Sequence, residues 1–214
     1  MARLEFFFDL SSPWTRLAFH NVRPMLRETG ASVTWRPFLV GGVFNAVNPG
    51  VYASRANPGD PKVRHTFTWL KAWARLAGVA MNFPSPHHPV KSVHAMRVCC
   101  ALEDDQAALF GFAEAAFEAY FGEARNLDDP AVLADIAEAC GLDGAGLLAR
   151  SQTEAVKQRL RANTQEVIDR GGFGSPTLFV DGDRIFFGND QLPIVRLALQ
   201  ESSLSAAAPA RSGS

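Results

Sequence analysis

The first apolar run, Leu4-Glu5-Phe6-Phe7-Phe8-Asp9-Leu10, is short and aromatic, which predicts a buried strand. It leads directly into Ser12-Pro13-Trp14-Thr15. A serine N-cap and a proline at the first helical position predict a helix from Pro13 to about Glu28, closed by Gly30. Val33–Phe38 predicts a second strand. A strand–helix–strand connection of this length implies two parallel neighbours. The middle of the chain then changes to helical spacing. Phe67, Leu70, Trp73 and Leu76 form one apolar stripe between Lys62 and Leu76. Further helices are predicted over Val90 to about Glu103, about Asp105 to Phe121, Asp129-Pro130 to Gly141, after Asp143, and about Ser151 to Arg170. Strand character returns at Thr177–Val180 and Arg184–Phe187, which flank Asp181-Gly182-Asp183 as a hairpin signal. A last helix is predicted from about Gln191 to Gln200.

A strand–helix–strand start and a hairpin–helix finish make a thioredoxin-like α/β fold, here with a large α-helical insertion. Residues 1–44 and 171–202 are expected to form the thioredoxin-like part and residues 45–170 the inserted helices. Residues 203–214, rich in Ser and Ala without periodicity, are expected to be a disordered tail. At 47% hydrophobic, the 214-residue chain has ample material for a core. The 21 basic and 22 acidic residues nearly cancel, so neither nucleic acid nor an anionic membrane surface is an expected partner. No apolar stretch reaches spanning length, and the N-terminus enters a strand with no basic-plus-apolar leader. The expectation is a soluble cytoplasmic protein. Cys99, Cys100 and Cys140 include no Cys-x-x-Cys, and the adjacent pair lies in an apolar helical stretch that suits packing.

Candidate chemistry concentrates where the first strand meets the first helix. A helix N-terminus presents free N–H groups and a positive dipole end, which stabilise an anion. A redox protein of this layout would carry Cys-x-x-Cys here, whereas this chain has Ser-Pro-Trp-Thr, so an anion, if there is one, must come from a ligand. A free thiol titrates near ~8.5. Lowering that by ~2 units takes ~2.7 kcal/mol. The helix end offers ~0.3–1 kcal/mol, and a hydroxyl donating to an anion adds ~1.5–3 kcal/mol. Ser12 therefore suits a donor rather than a nucleophile, a role that overlaps with plain N-capping. In a thioredoxin-like frame the proline of Gly174-Ser175-Pro176-Thr177 would be cis and would face the first helix, leaving the Ser175 backbone open to an extended peptide. An ordinary turn proline is the alternative. Arg16 reads as an exposed arginine held by an acidic side chain, with a substrate carboxylate as the sharper alternative. Trp14 and Phe44 are candidate walls for an aromatic substrate. His87-His88-Pro89 lacks a third ligand and reads as a loop, so no metal is expected. Gly41-Gly42 and Gly171-Gly172 lack the context of a phosphate loop.

Phe7-Phe8-Asp9-Leu10-Ser11-Ser12-Pro13-Trp14, Gly174-Ser175-Pro176-Thr177 and Gly188-Asn189-Asp190 together resemble the DsbA-like, kappa-class glutathione transferase family. Within it the chain is most similar to the 2-hydroxychromene-2-carboxylate isomerases. The resemblance implies glutathione as cofactor, with Ser12 bonded to its sulfur and the Ser175 backbone, beside Pro176, paired with its cysteinyl part. It implies that Asn189 and Asp190 hold the γ-glutamyl end, and that Asn57 and Lys62 meet the tripeptide near the site mouth. Two positions depart from the family pattern: Gln191 stands where Arg is frequent, and Lys91 where Asn is usual. The implied reaction isomerises a small aromatic carboxylate in a homodimeric enzyme. Conjugation or peroxide reduction by a kappa-type transferase is the runner-up. A thiol-disulfide oxidoreductase is disfavoured by the missing Cys-x-x-Cys, and a non-catalytic binding module is a further alternative.

Overall fold

The computed structural model describes residues 2–52, 57 and 59–207. Four strands form one mixed sheet in the order β2-β1-β3-β4. Strands β1 (Arg3–Phe8) and β2 (Ser32–Pro37) run parallel, with Arg3 opposite Ser32 and Phe8 opposite Pro37. Helix α1 (Pro13–Thr29) makes the crossover between them. Strand β3 (Thr177–Val180) lies antiparallel to β1 and pairs with β4 (Arg184–Phe187) as the predicted hairpin. Val180 pairs with Arg184, so the loop is the three residues Asp181-Gly182-Asp183, with Asp181 and Gly182 in left-handed backbone at φ 51° and 98°.

Helix α1 forms for the reasons its sequence suggests. The Ser12 side chain accepts the Thr15 N–H, Pro13 occupies the first turn, and Gly30 ends the helix at φ 63°. Its buried face packs Phe19 against Trp35 at 4.5 Å and Phe6 at 5.9 Å between ring centroids. Helix α2 (Val40–Val47) follows β2 and was not predicted, because Gly41-Gly42 interrupts its apolar spacing. The glycine is what lets it pack: a Cβ on Gly42 would lie 2.9 Å from Thr164 Cγ2.

The insertion comprises α3 (Pro61–Ala77), α4 (Val93–Ala101) and α5 (Gln106–Phe117), which runs into a π-helical turn over Glu118–Gly122. It continues with α6 (Pro130–Ala139), α7 (Gly144–Ser151) and α8 (Glu154–Asp169). Several boundaries differ from the pattern. Helix α4 starts at Val93 rather than Val90, after a loop containing cis Phe83–Pro84 and cis His88–Pro89. The helix expected from Ser151 begins at Glu154, because Thr153 caps it and α7 ends before it. Leu76 belongs to the apolar stripe by spacing yet is 77% exposed. The last helix, α9 (Leu192–Ala207), extends past Gln200, so residues 203–207 are helical rather than tail; residues 208–214 lie outside the described part. The main core is continuous between sheet and insertion: Phe6, Phe8 and Leu178 share one cluster with Met96, Phe112 and Tyr120.

Candidate functional site

Between β1 and α1 the chain turns in four residues, Asp9 to Ser12, and this turn organises the site. The Ser12 hydroxyl accepts from the Thr15 N–H at 3.2 Å and donates to the Ser175 carbonyl at 3.0 Å. The Ser175–Pro176 bond is cis, as the sequence led us to expect. The Ser175 carbonyl, however, was expected to stand open, and it is taken by Ser12. The Ser175 hydroxyl accepts from the Asp9 N–H at 3.0 Å and lies 2.7 Å from Thr15 Oγ1. The two ends of the chain are thus laced together at this point.

Asp9 is the buried centre of the turn, with no exposed surface. One carboxylate oxygen accepts from the N–H and the hydroxyl of Ser11, both at 2.8 Å. The other accepts from the Val40 N–H at 2.9 Å and the Ser92 hydroxyl at 3.0 Å. Burial raises the pKa of Asp9 above the usual carboxylate value, and the four donors oppose that rise. Asp9 therefore ties the Ser12 turn to the start of α2 and to the residue before α4. This role was missed. The residue was visible in the motif, but nothing in a single sequence says that four separate donors converge on it.

The turn opens on a cavity of about 590 Å³. Ser11, Ser12 and Ser175 supply polar groups at the turn, and Asn48, Thr66 and His88 add others around the wall. Trp14, Phe44, Phe67, Phe83, Phe173 and Phe187 supply aromatic walls. A small-molecule site has this character, a mostly apolar volume with a few converging polar groups. Trp14 and Phe44 both line this cavity, and Trp14 packs against Leu17 and Leu70. Phe67, which reads as core by its spacing, instead faces this space.

Other predicted residues lie elsewhere. Arg16 is only 5% exposed, not the surface residue expected, because it is drawn into an ion pair with Glu118 on the π-helical turn. The acidic partner was foreseen; the burial was not, and the side chain is absent from the cavity wall. Burial lowers its pKa, and Glu118 and Glu114 counter this. Asn57 and Lys62 are exposed and outside the lining, although Val63, Thr66 and Phe67 just beyond them are part of it. Asn189 is 2% exposed and accepts from Asn21 Nδ2 at 2.8 Å, while Asp190 is exposed; neither lines the cavity. His88, read as a loop residue, does line it.

No cysteine contributes. Cys99 and Cys100 are buried, and burial pushes both thiols well above the ordinary value. Cys140 is exposed and bonded to the Gly111 carbonyl, with a thiol pKa also raised by burial of the sulfur. Among the described residues no group of three or more His, Cys, Asp or Glu is placed to hold a metal ion. No helix among them is long and apolar enough to cross a membrane.

A parallel strand–helix–strand unit, a hairpin–helix unit, and a cis-proline facing the N-terminus of α1 define a thioredoxin-like protein in which Ser12 and Thr15 occupy the usual cysteine positions. A family model, the DSBA-like thioredoxin domain, matches residues 3–200, and the chain belongs to that family. It is 30% identical to a 2-hydroxychromene-2-carboxylate isomerase of Sphingobium xenophagum, over 88% of this chain and 93% of that one. It is 24% identical to glutathione S-transferase kappa 2 of Caenorhabditis elegans, over 92% of each chain. The solved structure of a 2-hydroxychromene-2-carboxylate isomerase superposes with a TM-score of 0.79 at 23% identity, covering 96% of this chain and 98% of that one.

Proposed function

We propose that this protein is a glutathione-dependent isomerase that converts 2-hydroxychromene-2-carboxylate to trans-o-hydroxybenzylidenepyruvate. The observation that carries the reading is the Ser12 hydroxyl, set at the N-terminus of α1, facing an aromatic cavity and bonded to the carbonyl before a cis-proline. The chemistry of this donor set fits a thiolate. Hydroxyls and a helix N-terminus are present, and no acidic side chain lines the cavity among the described residues. Bound glutathione would supply a sulfur nucleophile whose reversible addition turns a conjugated double bond into a single bond long enough for rotation.

The residues of this chain do the rest. Ser12 would hold the sulfur, its hydroxyl being free to donate to a thiolate in place of the Ser175 carbonyl it bonds at 3.0 Å. The Ser175 backbone would hold the cysteinyl part of the tripeptide. Trp14, Phe44 and Phe83 sandwich the ring of the substrate and keep water from the sulfur. Asn57, Lys62, Asn189 and Asp190 act, in this reading, on the ends of the tripeptide outside the aromatic cavity. For Asn189 the route is indirect: its bond to Asn21 steadies the turn that presents Asp190.

The test is a turnover assay with glutathione at a small fraction of the substrate concentration. Complete conversion with glutathione recovered supports the isomerase. Consumption of one glutathione per product would point to a kappa-type transferase, which the relatives of that name make the second reading. No binding of glutathione in calorimetry would overturn both.

Gly174 offers a check on the site wall. A Cβ there would lie 2.6 Å from Phe187 Cε2 and 3.0 Å from Cζ. Gly174→Ala must therefore push aside the Phe187 ring or the Ser175 backbone. Overpacking of this kind costs ~1–3 kcal/mol. Glutathione affinity is expected to fall about tenfold with the far-ultraviolet spectrum unchanged, as read by calorimetry and circular dichroism.

A further inference from the structure

Beside the aromatic cavity lies a second compartment of about 300 Å³. The two adjoin, sharing Ser11, Val40, Phe44, His88 and Pro89 as lining. Their chemistry differs. The larger one carries no Lys or Arg on its wall, and the smaller one is lined by Lys91. Among the described residues Lys91 makes no ion pair, and neither compartment is lined by Asp or Glu. Behind the wall, Asp9 is bonded to the lining residues Ser11, Val40 and Ser92, and its carboxylate is already satisfied by four donors. Helices α2 and α4 both begin at this compartment, with Val40 and Gly41 from one and Ser92 and Val93 from the other, so their positive ends add to the field of the lysine.

From this the geometry points to Lys91 as the residue that selects substrates bearing a carboxylate. The acid group enters the smaller compartment toward the ammonium group while the ring and its conjugated double bond stay between the aromatic walls, next to Ser12. The inference rests on the proposed isomerase reading for the identity of the reaction, but the recognition it describes is of a planar unsaturated acid by shape and charge. Lysine is a compact, strongly hydrated point charge, so it suits a carboxylate at a cavity mouth that retains some water.

The test uses trans-cinnamate and trans-cinnamamide, which share a shape and differ in charge, with wild type, Lys91→Met and Lys91→Arg. Calorimetry is run with and without glutathione, and glutathione binding is measured separately for each protein. Wild type should bind the acid more tightly than the amide. Lys91→Met should weaken the acid about three- to fivefold, in keeping with one partly solvated charge contact, and leave the amide within about 1.5-fold. Lys91→Arg should retain most of the preference. Equal affinity for acid and amide in wild type, no detectable binding of the acid, or an unchanged acid affinity in Lys91→Met would each overturn the assignment. Loss of glutathione binding in all three proteins would instead remove the isomerase reading, and the glutathione-free acid and amide comparison would still decide the role of Lys91.

Discussion

Ser12→Ala is expected to cut turnover about 10- to 100-fold and to raise the pKa of the bound glutathione thiol by about 1–2 units. The estimate follows from the loss of one hydrogen bond to a charged acceptor, ~1.5–3 kcal/mol. One pKa unit corresponds to ~1.36 kcal/mol. The substitution also removes the cap on the Thr15 N–H and the tie to the Ser175 carbonyl. N-cap removal costs ~1 kcal/mol, so a modest fall in melting temperature accompanies the loss. A structural effect alone would not move the ionisation of the thiol. The deciding measurement is therefore the pH titration of thiolate absorbance in the complex. Ser12→Thr, which keeps a hydroxyl at the cap, should restore the low thiol pKa even where its methyl group slows turnover. A thiol that titrates identically in wild type and Ser12→Ala would take the serine out of the mechanism.

The parts of this molecule that were legible in sequence are those governed by local rules. The cap, the proline and the closing glycine of α1 act within a few residues, and so does the turn of the hairpin. The parallel pairing of β1 with β2 follows from the connection length and the buried apolar runs, whereas the antiparallel pairing of β1 with β3 joins distant parts of the chain. Legibility fails where a residue answers to a distant neighbour. Gly41-Gly42 looks like a helix breaker until Thr164 is brought against it. Leu76 keeps the helical period but finds nothing to cover it. Arg16 is buried because Glu118, about a hundred positions on, is delivered by a π-helical turn that no periodicity announces. The same holds at the site. Ser12 and Ser175 announce themselves through their proline neighbours, whereas Phe83, Phe173 and Phe187 are drawn to one cavity only by the tertiary fold.

Asp9→Ala is expected to be the most damaging single change for stability. The carboxylate has no solvent contact, and two of its four donors are backbone N–H groups that cannot turn elsewhere, those of Ser11 and Val40. Stranding a buried donor costs ~1–3 kcal/mol, so the pair amounts to about 2–6 kcal/mol. For a chain of this size that lowers the melting temperature by roughly 2–4 °C per kcal/mol. The Val40 N–H belongs to the first turn of α2, which has no side-chain cap of its own, so Asp9 also serves as a remote cap with its charge at the favourable end of the helix. The pH dependence separates the two forces acting on the group. Burial raises the folded-state pKa of Asp9 above the unfolded carboxylate value, so the folded state holds the proton more readily than the unfolded chain. Its proton-linked contribution is then fully present below the unfolded value of ~3.9 and is lost as pH rises through the higher folded value. Asp9→Asn lacks this titration. Denaturant melts of wild type and Asp9→Asn should therefore show a larger stability gap in favour of wild type near pH 3.5 than near pH 7. A gap that widens instead toward neutral pH would mean that the four donors outweigh burial and hold the carboxylate below its ordinary pKa.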